Sequence, residues 1–325
     1  MAVSDQVPTR SGFDRSSTAA AVLAGIDLTG KTAIVTGGYS GIGLETVRGL
    51  AAKGARVIIP VRSPEKAEAN LADIAGDVNT FAMDLADLAT VRRFTTSMLD
   101  ELPRLDLLIN NAGIMACPLD RVGPGWELQF GINHMGHFAL SRGLFPLIER
   151  TEGARVVALS STAHKVAGIN WGDIQFETTP YDKWQAYGQA KSANALFANA
   201  LSRRLHNSGG LAFAVHPGGI FTPLQRHLGK EEMIALGWLG EDGEPSALAR
   251  QGFKSAEQGA ATSLWAATST GLAGKPGVYC EDCDIAAPTD ANSPMARYMG
   301  VDAHVCDDAA AERLWDASEE LLAKA

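Results

Sequence analysis

The segment YGQAK contains the two side chains with the clearest chemical potential, Tyr187 and Lys191. They are four residues apart, so a helix would place both on one face. A phenol with a reference pKa of about 10 is a poor base at neutral pH, and a neighbouring ammonium lowers that pKa. The pair is therefore a candidate for proton exchange with an alcohol or carbonyl oxygen, although YxxxK alone is also found on ordinary helix faces.

Ser161 is a further candidate because it ends the apolar run ARVVALSS, which we interpret as a strand. Doubly wound α/β folds place ligands at the carboxyl ends of their strands, so the hydroxyl of Ser161 can orient the same oxygen. Such a site suits hydride transfer to or from a nicotinamide, with Tyr187 exchanging the proton.

The segment TGGYSGIG predicts a site for a pyrophosphate. Gly37, Gly41 and Gly43 lie where the strand TAIVTG gives way to a helix. Missing side chains let the backbone approach an anion, and the free N–H groups and the helix dipole attract it. The spacing is GxxxGxG instead of GxGxxG, and close helix packing is an alternative explanation of the glycines.

Arg62 ends the second predicted strand, nineteen residues after Gly43. An acid in this position would accept a hydrogen bond from a ribose 2′-hydroxyl, whereas an arginine matches a 2′-phosphate. The sequence therefore predicts NADP(H), with NAD(H) as the alternative if Arg62 is only a surface residue.

The elements that must position these residues alternate along the chain. Seven apolar runs, TAIVTG, ARVIIPVR, NTFAMDL, DLLINNA, ARVVALSS, LAFAVHPG and GVYC, are separated by segments of helical period. This pattern predicts a three-layer, doubly wound α/β (Rossmann) fold with a parallel sheet of about seven strands. We expect an arm over 1–25, in which DRSSTAAAVLAG can form a short capped helix, and one domain over 26–325. Within that domain we expect a substrate-side lid around 224–251 and a C-terminal extension over 284–325.

Composition narrows the class of partner. The 325 residues include 28 Lys and Arg against 37 Asp and Glu, a net charge of −9, with no block of like charge, so a nucleic-acid partner is disfavoured. The apolar run AAAVLAGI is shorter than the roughly 20 residues of a membrane helix; we expect a cytoplasmic protein without a membrane partner. The CEDC pair suggests metal or redox chemistry, but an edge strand with two incidental thiols fits better because no second ligand pair accompanies it.

The glycine turn, NNAG, the serine strand, YGQAK and HPGG follow one another in an order that resembles the classical short-chain dehydrogenases/reductases. The resemblance covers about residues 26–223. It implies that Tyr187 is the general acid/base, Lys191 its activator and ribose anchor, and Ser161 the carbonyl orienter. It further implies that Asn133, in FGINHMGHF, holds a water linking Lys191 to solvent.

The same resemblance implies a cofactor site assembled from several segments. Asp84 would contact the adenine, although a turn cap is an alternative for both Asp84 and Thr222. The residues expected to bind the cofactor are Gly37, Tyr39, Ser40, Gly41, Ile42, Gly43, Arg62, Asp84, Leu85, Asn111, Ala112, Gly113, Tyr187, Lys191, Pro217, Gly218, Ile220 and Thr222. No metal is expected: His134 and His137 form an HxxH that we interpret as packing, and hydride transfer needs no metal.

Ser161 and Tyr187 are 26 residues apart, about twice the separation in shorter family members. The sequence resembles the retinol dehydrogenase and WW-domain oxidoreductase branch, with protochlorophyllide reductases more distant, and this resemblance also implies NADP. The intervening insertion contains the aromatic residues Trp171, Phe176, Tyr181 and Trp184. They predict a pocket for a bulky hydrophobic alcohol or ketone, unless they are core residues or a subunit contact.

We therefore expect an NADP-dependent oxidoreductase that interconverts a primary or secondary alcohol and its aldehyde or ketone. A C=C reductase using the same NADPH site and a non-catalytic NADP(H)-sensing regulator are the alternatives. Relatives often pair through the YxxxK helix, so we consider a homodimer or a homotetramer, and the segment from about Gly271 either covers that helix or reaches a neighbouring subunit.

Overall fold

The computed structural model describes residues 2–325, with the exception of the side chain of Lys66. Within these residues, the main sheet contains eight strands. The strands, together with those of a separate hairpin, are β1 (Thr32–Val35), β2 (Arg56–Val61), β3 (Val78–Ala82), β4 (Leu107–Asn110), β5 (Arg121–Val122), β6 (Trp126–Glu127), β7 (Arg155–Leu159), β8 (Leu211–His216), β9 (Tyr279–Glu281) and β10 (Asp284–Ile285). The hairpin is β5–β6. The order of the main sheet is β10-β9-β8-β7-β4-β1-β2-β3, and only β10 runs antiparallel to its neighbour.

Helices cover both faces of the sheet. They are α1 (Ala19–Val22), α2 (Gly41–Ala52), α3 (Pro64–Leu71), α4 (Leu88–Glu101), α5 (Leu128–Phe130), α6 (Gly136–Glu149), α7 (Lys183–Arg204), α8 (Lys230–Ala235), α9 (Ala247–Gly252), α10 (Ala256–Thr268) and α11 (Asp308–Ala323). Helices α1, α2 and α10 pack on one face, and α4, α6, α7 and α11 on the other. In β1, Ile34 faces the second group whereas Val35 faces the first. Burial on both faces explains why the strands lack polar alternation.

The seven predicted strands are all present in this single α/β domain, but the sequence did not predict the antiparallel strand β10. A two-residue turn joins β9 to β10, and its central residues, Asp282 and Cys283, have φ of 48° and 60°. Such turns are normally recognised by glycine or asparagine, and EDCD contains neither. Cys280 and Cys283 are buried free thiols, as the interpretation of incidental thiols expects, but β9 is not the expected edge strand because β10 pairs with its outer side.

The N-terminal arm expected over 1–25 is bound to the last strand of the sheet. The carboxylate of Asp284 accepts hydrogen bonds from the backbone N–H groups of Thr9 at 2.7 Å and Arg10 at 2.8 Å. Thr18 caps the short helix α1 as expected. Leu23 is 1% exposed and packs so closely against Gly49 that a Cβ there would lie 3.0 Å from it. The arm is therefore part of the folded domain.

The C-terminal segment covers helix α7. Trp315 of α11 stacks on Phe197 of α7 with ring centroids 6.1 Å apart, and the Arg204 guanidinium lies 3.9 Å from the Trp315 ring centroid. Asn199 donates a hydrogen bond to Asp308 at 3.0 Å. Of the two alternatives for the segment from about Gly271, covering the YxxxK helix is the one observed. No helix in the described part of the chain is both long and apolar enough to cross a membrane.

Candidate active site

One large cavity, of about 1340 Å³, opens at the carboxyl ends of the parallel strands. Every residue expected to bind the cofactor lines it, as do Ser161, Tyr187 and Lys191. Asn133 does not line the cavity, because it is completely buried behind the segment that follows β4. The location agrees with the rule that doubly wound sheets bind ligands beyond the carboxyl ends of their strands.

Helix α7 and the end of β7 bring three of the expected catalytic side chains together. Tyr187 and Lys191 are 4% and 5% exposed, and the Lys191 Nζ lies 5.5 Å from the centre of the Tyr187 ring. The Nζ donates a hydrogen bond to the carbonyl oxygen of Leu159, the last residue of β7, at 3.0 Å. Ser161, just beyond the end of β7, lies beside Tyr187 in the cavity wall.

Burial controls the titration of the Tyr187–Lys191 pair. It raises the pKa of Tyr187 above its ordinary value, and the neighbouring hydroxyl of Ser161 only partly opposes this effect. It also lowers the pKa of Lys191 to about 8. The sequence analysis expected the Lys191 ammonium to lower the pKa of Tyr187, but in the structure burial outweighs such an effect and the pKa is raised. Tyr187 is a protonated phenol at neutral pH, which is the form that can donate a proton.

Asn133 lies in a π-helical turn, Gly131–Met135, that leads into α6. Its side chain accepts a hydrogen bond from the N–H of Ile114 and donates one to the carbonyl oxygen of the same residue, both at 2.9 Å. A Cβ on Gly113 would lie 3.1 Å from the Asn133 Oδ1 and 3.7 Å from the Lys191 Nζ. Asn133 is thus held beside the lysine, separated from the cavity by Gly113 and Ile114.

The glycine turn has the geometry of an anion cradle. Gly37 and Gly41 have φ of 65° and 53°, which are left-handed values that favour glycine. A Cβ on Gly43 would lie 2.3 Å from the carbonyl oxygen of Gly37, so no side chain fits there. Within the described residues, the side chain of Ser40 does not cap α2, which leaves the first-turn N–H groups available to a pyrophosphate.

Arg62 is exposed, follows directly after β2 and lines the cavity. It has no ionic partner among the side chains that the structure describes. Asp84 and Thr222 also line the cavity, and both act as turn caps: Asp84 accepts from the N–H of Ala86 at 2.9 Å and Thr222 from that of Leu224 at 3.2 Å. Both residues therefore cap turns, as the alternative stated, and both also lie in the cavity wall.

The aromatic side of the cavity differs from the sequence expectation. Of the four predicted aromatic residues, only Trp184 lines it. Phe176 and Tyr181 contact each other with ring centroids 5.5 Å apart, and Trp171 lies 4.1 Å below the Arg313 guanidinium. These three contact the protein away from the cavity: Trp171 packs on the C-terminal helix, and the Tyr181 hydroxyl lies 3.0 Å from the Cys117 carbonyl oxygen.

Trp238 and Phe253 complete the wall that Trp184 begins. The ring centroids of Trp184 and Trp238 are 6.3 Å apart, and those of Trp238 and Phe253 are 5.6 Å apart. Trp184 itself meets the ring of Tyr187 at 6.4 Å. Sequence reasoning missed Trp238 because it lies in an irregular segment that has no period to indicate which way it faces.

The segment expected to form a lid lies against the helix that carries Tyr187. Glu232 of α8 accepts hydrogen bonds from the Lys183 Nζ at 2.6 Å and from the Trp184 Nε1 at 3.2 Å. Leu224, Leu236 and Leu248 from the same region line the cavity. The segment therefore forms part of the cavity wall, and its action as a substrate-side lid stays a prediction.

A group of buried polar side chains in the cavity wall was not predicted. His216, Lys254 and Glu281 are each at most 9% exposed and line the cavity. Lys254 forms an ion pair with Asp282 at 2.5 Å, and burial raises the pKa of Glu281 to about 7. The pairing of β8 with β9 places His216 beside Glu281, a proximity that their separation in sequence does not reveal.

The HxxH histidines contact separate protein groups. The His134 Nε2 lies 2.8 Å from the Ser318 hydroxyl. The His137 ring lies between Thr36 and Asn133, with Nε2 2.8 Å from the Thr36 Oγ1 and Nδ1 2.9 Å from the Asn133 carbonyl oxygen. The part of the chain that is described contains no group of three potential ligands arranged for a metal ion.

Fold and site together define a dehydrogenase/reductase that acts on alcohol or carbonyl groups with a nicotinamide dinucleotide. The chain belongs to the short chain dehydrogenase family, whose model matches residues 31–233.

Relatives place it in the retinol dehydrogenase-like branch of that family. A probable oxidoreductase of Streptomyces lividans is 42% identical over 302 residues, which cover 91% of this chain and 99% of that protein. Human retinol dehydrogenase 12 is 37% identical over 302 residues, covering 91% of this chain and 88% of the human protein. The Pseudomonas aeruginosa RhlG/NADP active-site complex has a TM-score of 0.61 and 26% identity, covering 78% of this chain and 95% of that one.

Proposed function

We propose that the protein is an NADP-dependent oxidoreductase that interconverts a bulky hydrophobic alcohol and its aldehyde or ketone. The observation that carries this proposal is the meeting of Ser161, Tyr187 and Lys191 between an aromatic wall and a glycine cradle in one cavity. The cradle accounts for a dinucleotide and the wall for an apolar substrate. Ser161, Tyr187 and Lys191, which lie between the cradle and the wall, account for proton exchange at the substrate oxygen.

NADP is the proposed cofactor, and the residues present fit it. The left-handed glycines and the first turn of α2 would hold the pyrophosphate. Arg62 would pair with the 2′-phosphate, because it lies at the cavity without an ionic partner among the described side chains. The RhlG structure, a solved relative in complex with NADP, supports the same choice. When bound, the cofactor donates or accepts the hydride.

In the reducing direction, Tyr187 donates its phenolic proton to the substrate oxygen. The buried phenol is protonated at neutral pH, so it is ready for this step. The Ser161 hydroxyl donates a hydrogen bond to the same oxygen and fixes its position. Lys191, which donates a hydrogen bond to the Leu159 carbonyl oxygen, assists the proton transfer at Tyr187. Asn133 is proposed to support the relay that afterwards returns a proton to Tyr187. The reverse direction uses the same residues with Tyr187 as the base.

The substrate is proposed to be large and apolar because Trp184, Trp238 and Phe253 form a continuous aromatic surface next to Tyr187. Aromatic side chains bury much apolar area against a ligand. The similarity to a retinol dehydrogenase agrees with an apolar alcohol or its aldehyde. We further propose that residues 224–251 act as a lid that closes this surface, since they contribute Leu236 and Trp238 to it.

A substrate panel tests the proposal. The purified protein is mixed with NADPH and, separately, a bulky aromatic aldehyde, a long-chain aldehyde, acetone and an activated alkene without a carbonyl group. We expect NADPH oxidation with the large aldehydes, and slower oxidation with acetone. Turnover of the alkene alone would instead favour the C=C reductase. Tight NADPH binding without turnover of any carbonyl compound would favour the sensing regulator.

A further inference from the structure

His137 makes two hydrogen bonds that connect separate parts of the site. The ring is 2% exposed and belongs to the first turn of α6. Its Nε2 lies 2.8 Å from the Thr36 Oγ1, at the end of β1. Its Nδ1 lies 2.9 Å from the carbonyl oxygen of Asn133. One imidazole therefore links the strand leading into the glycine turn with the π-helical turn beside Lys191.

The hydrogen bonds around Thr36 determine which ring nitrogen carries the proton. The Thr36 Oγ1 accepts from the N–H groups of Asn111 at 2.9 Å and Ala112 at 3.0 Å, which uses both of its lone pairs. Its own proton has to be donated. The His137 Nε2 at 2.8 Å is the nearer acceptor, since the Ile109 carbonyl oxygen is 3.4 Å away.

The other side of the ring agrees with this assignment. The Asn133 carbonyl oxygen can only accept a hydrogen bond, so the Nδ1 must donate. His137 is then a neutral ring with its proton on Nδ1, and both nitrogens have suitable partners. Burial and the nearby Lys191 ammonium both favour the neutral form, and the pKa of His137 is lowered to about 4.

This arrangement leaves Asn133 little freedom. Its side-chain amide is bonded at both ends to Ile114, and His137 holds its main-chain carbonyl. Through Thr36, the same ring orients the N–H groups of Asn111 and Ala112, two residues that line the cofactor end of the cavity.

We propose that His137 is a positioning residue that keeps Asn133 in place beside Lys191 and couples that position to the cofactor-side turn at Asn111 and Ala112. It touches neither substrate nor cofactor, since it does not line the cavity. Its consequence for catalysis rests on the proposed function, whereas its hydrogen-bonded state does not.

The first test is nitrogen NMR on the wild-type full-length protein labelled with ¹⁵N-histidine. The His137 signal is identified by its absence in His137→Gln. We expect a neutral ring protonated on Nδ1 at neutral pH, with and without NADPH. A charged ring, or a ring protonated on Nε2, would overturn the proposal whether or not the protein shows activity.

The second test compares His137→Phe with His134→Phe. Both histidines are buried and belong to one HxxH, but His134 contacts Ser318 and has no bond to Asn133 or Thr36. We expect His137→Phe to lower kcat about tenfold or more, because small misplacements near a reacting centre are costly. It should also shift the pH profile of kcat and weaken NADPH binding. His137→Gln, which can both donate and accept, should recover part of the loss.

His134→Phe should leave the pH profile and NADPH affinity unchanged, even if it lowers the melting temperature. Equal effects of the two phenylalanine variants on the profile, or an unchanged profile in His137→Phe, would contradict the proposal. If either phenylalanine variant does not fold, the NMR result and the pH profile of His137→Gln decide. If the wild-type protein turns over no carbonyl compound, the proposed function is rejected. The NMR and NADPH-binding results then decide the role of His137.

Discussion

At the scale of single residues, burial sets the chemical state of the site. Tyr187 is kept protonated and the pKa of Lys191 falls to about 8, in both cases because the surroundings penalise the charged form. The sequence predicted that the two residues would share a face. It did not predict the direction of the tyrosine shift, because desolvation depends on the packing of residues that are distant in sequence.

The first prediction concerns Arg62, which the sequence correctly placed at the end of the second strand. Arg62→Ala should weaken NADPH binding about tenfold, in the range of one charge-assisted hydrogen bond, and leave NADH binding unchanged. Fluorescence titration of both nucleotides measures this difference.

Arg93→Ala is the matched control for that titration, since Arg93 is an exposed arginine of α4 that does not line the cavity. Equal affinity of the wild-type protein for NADH and NADPH would show that Arg62 does not read a 2′-phosphate.

At the scale of elements, regular strands and helices were predictable and irregular segments were not. Apolar runs without alternation identified β1 to β4 and β7 to β9, and the glycine turn and YxxxK were correctly assigned to a strand–helix junction and a helix. The aromatic wall was only partly predicted. Trp184 lies on a helix whose faces can be assigned from the sequence by its distance from Tyr187. The orientation of the Trp238 side chain depends instead on how the irregular segment after β8 folds.

The second prediction concerns Glu232, whose carboxylate joins the proposed lid to Lys183 and Trp184. Glu232→Gln keeps the shape but weakens both charge-assisted bonds, which are each worth about 1.5–3 kcal/mol when well formed. We expect the KM for a bulky aldehyde to rise several-fold, with a smaller change for acetone.

Glu231→Gln, at the neighbouring exposed position of the same helix, should leave both KM values unchanged. An identical response to Glu231→Gln and Glu232→Gln, or a KM for the bulky aldehyde that Glu232→Gln does not alter, would argue against a lid held by this residue.

At the scale of the whole molecule, β10 extends the sheet at one edge, and the N-terminal arm is bound to the side chain of Asp284 in that strand. A segment near the N-terminus therefore contacts the last strand of the sheet, and α11 covers α7. Composition and periodicity predicted the layers correctly. They could not show that both terminal segments pack on the domain, because Thr9 and Asp284 are 275 positions apart and Asn199 and Asp308 are 109 apart.

The third prediction is a loss of stability in mild acid. Burial lowers the pKa of His134 and His216 to about 3 and that of His137 and His164 to about 4. Below the unfolded pKa of about 6.5, the unfolded chain binds more protons than the folded one, so stability falls as the pH falls. Each fully buried histidine can contribute on the order of 3 kcal/mol over its window.

Glu281 acts in the opposite direction. Its raised pKa, about 7, gives stability that is present in acid and is lost as the pH rises from about 4.5 through 7. Melting temperatures between about pH 7.5 and 4.5 should therefore fall towards acid, more gently in His134→Phe and more steeply in Glu281→Gln. A melting temperature that does not change over this range would contradict the assignment of four buried neutral histidines.

The measurement that tests the central claim most directly is the turnover of Tyr187→Phe with NADPH and the best carbonyl substrate, together with its NADPH affinity. Loss of the phenolic hydroxyl removes the proton donor, and general acid catalysis is typically worth about 10²–10⁴ in rate. We predict a loss of kcat in that range with NADPH binding retained. Wild-type kcat in Tyr187→Phe, with the cofactor bound normally, would contradict the account.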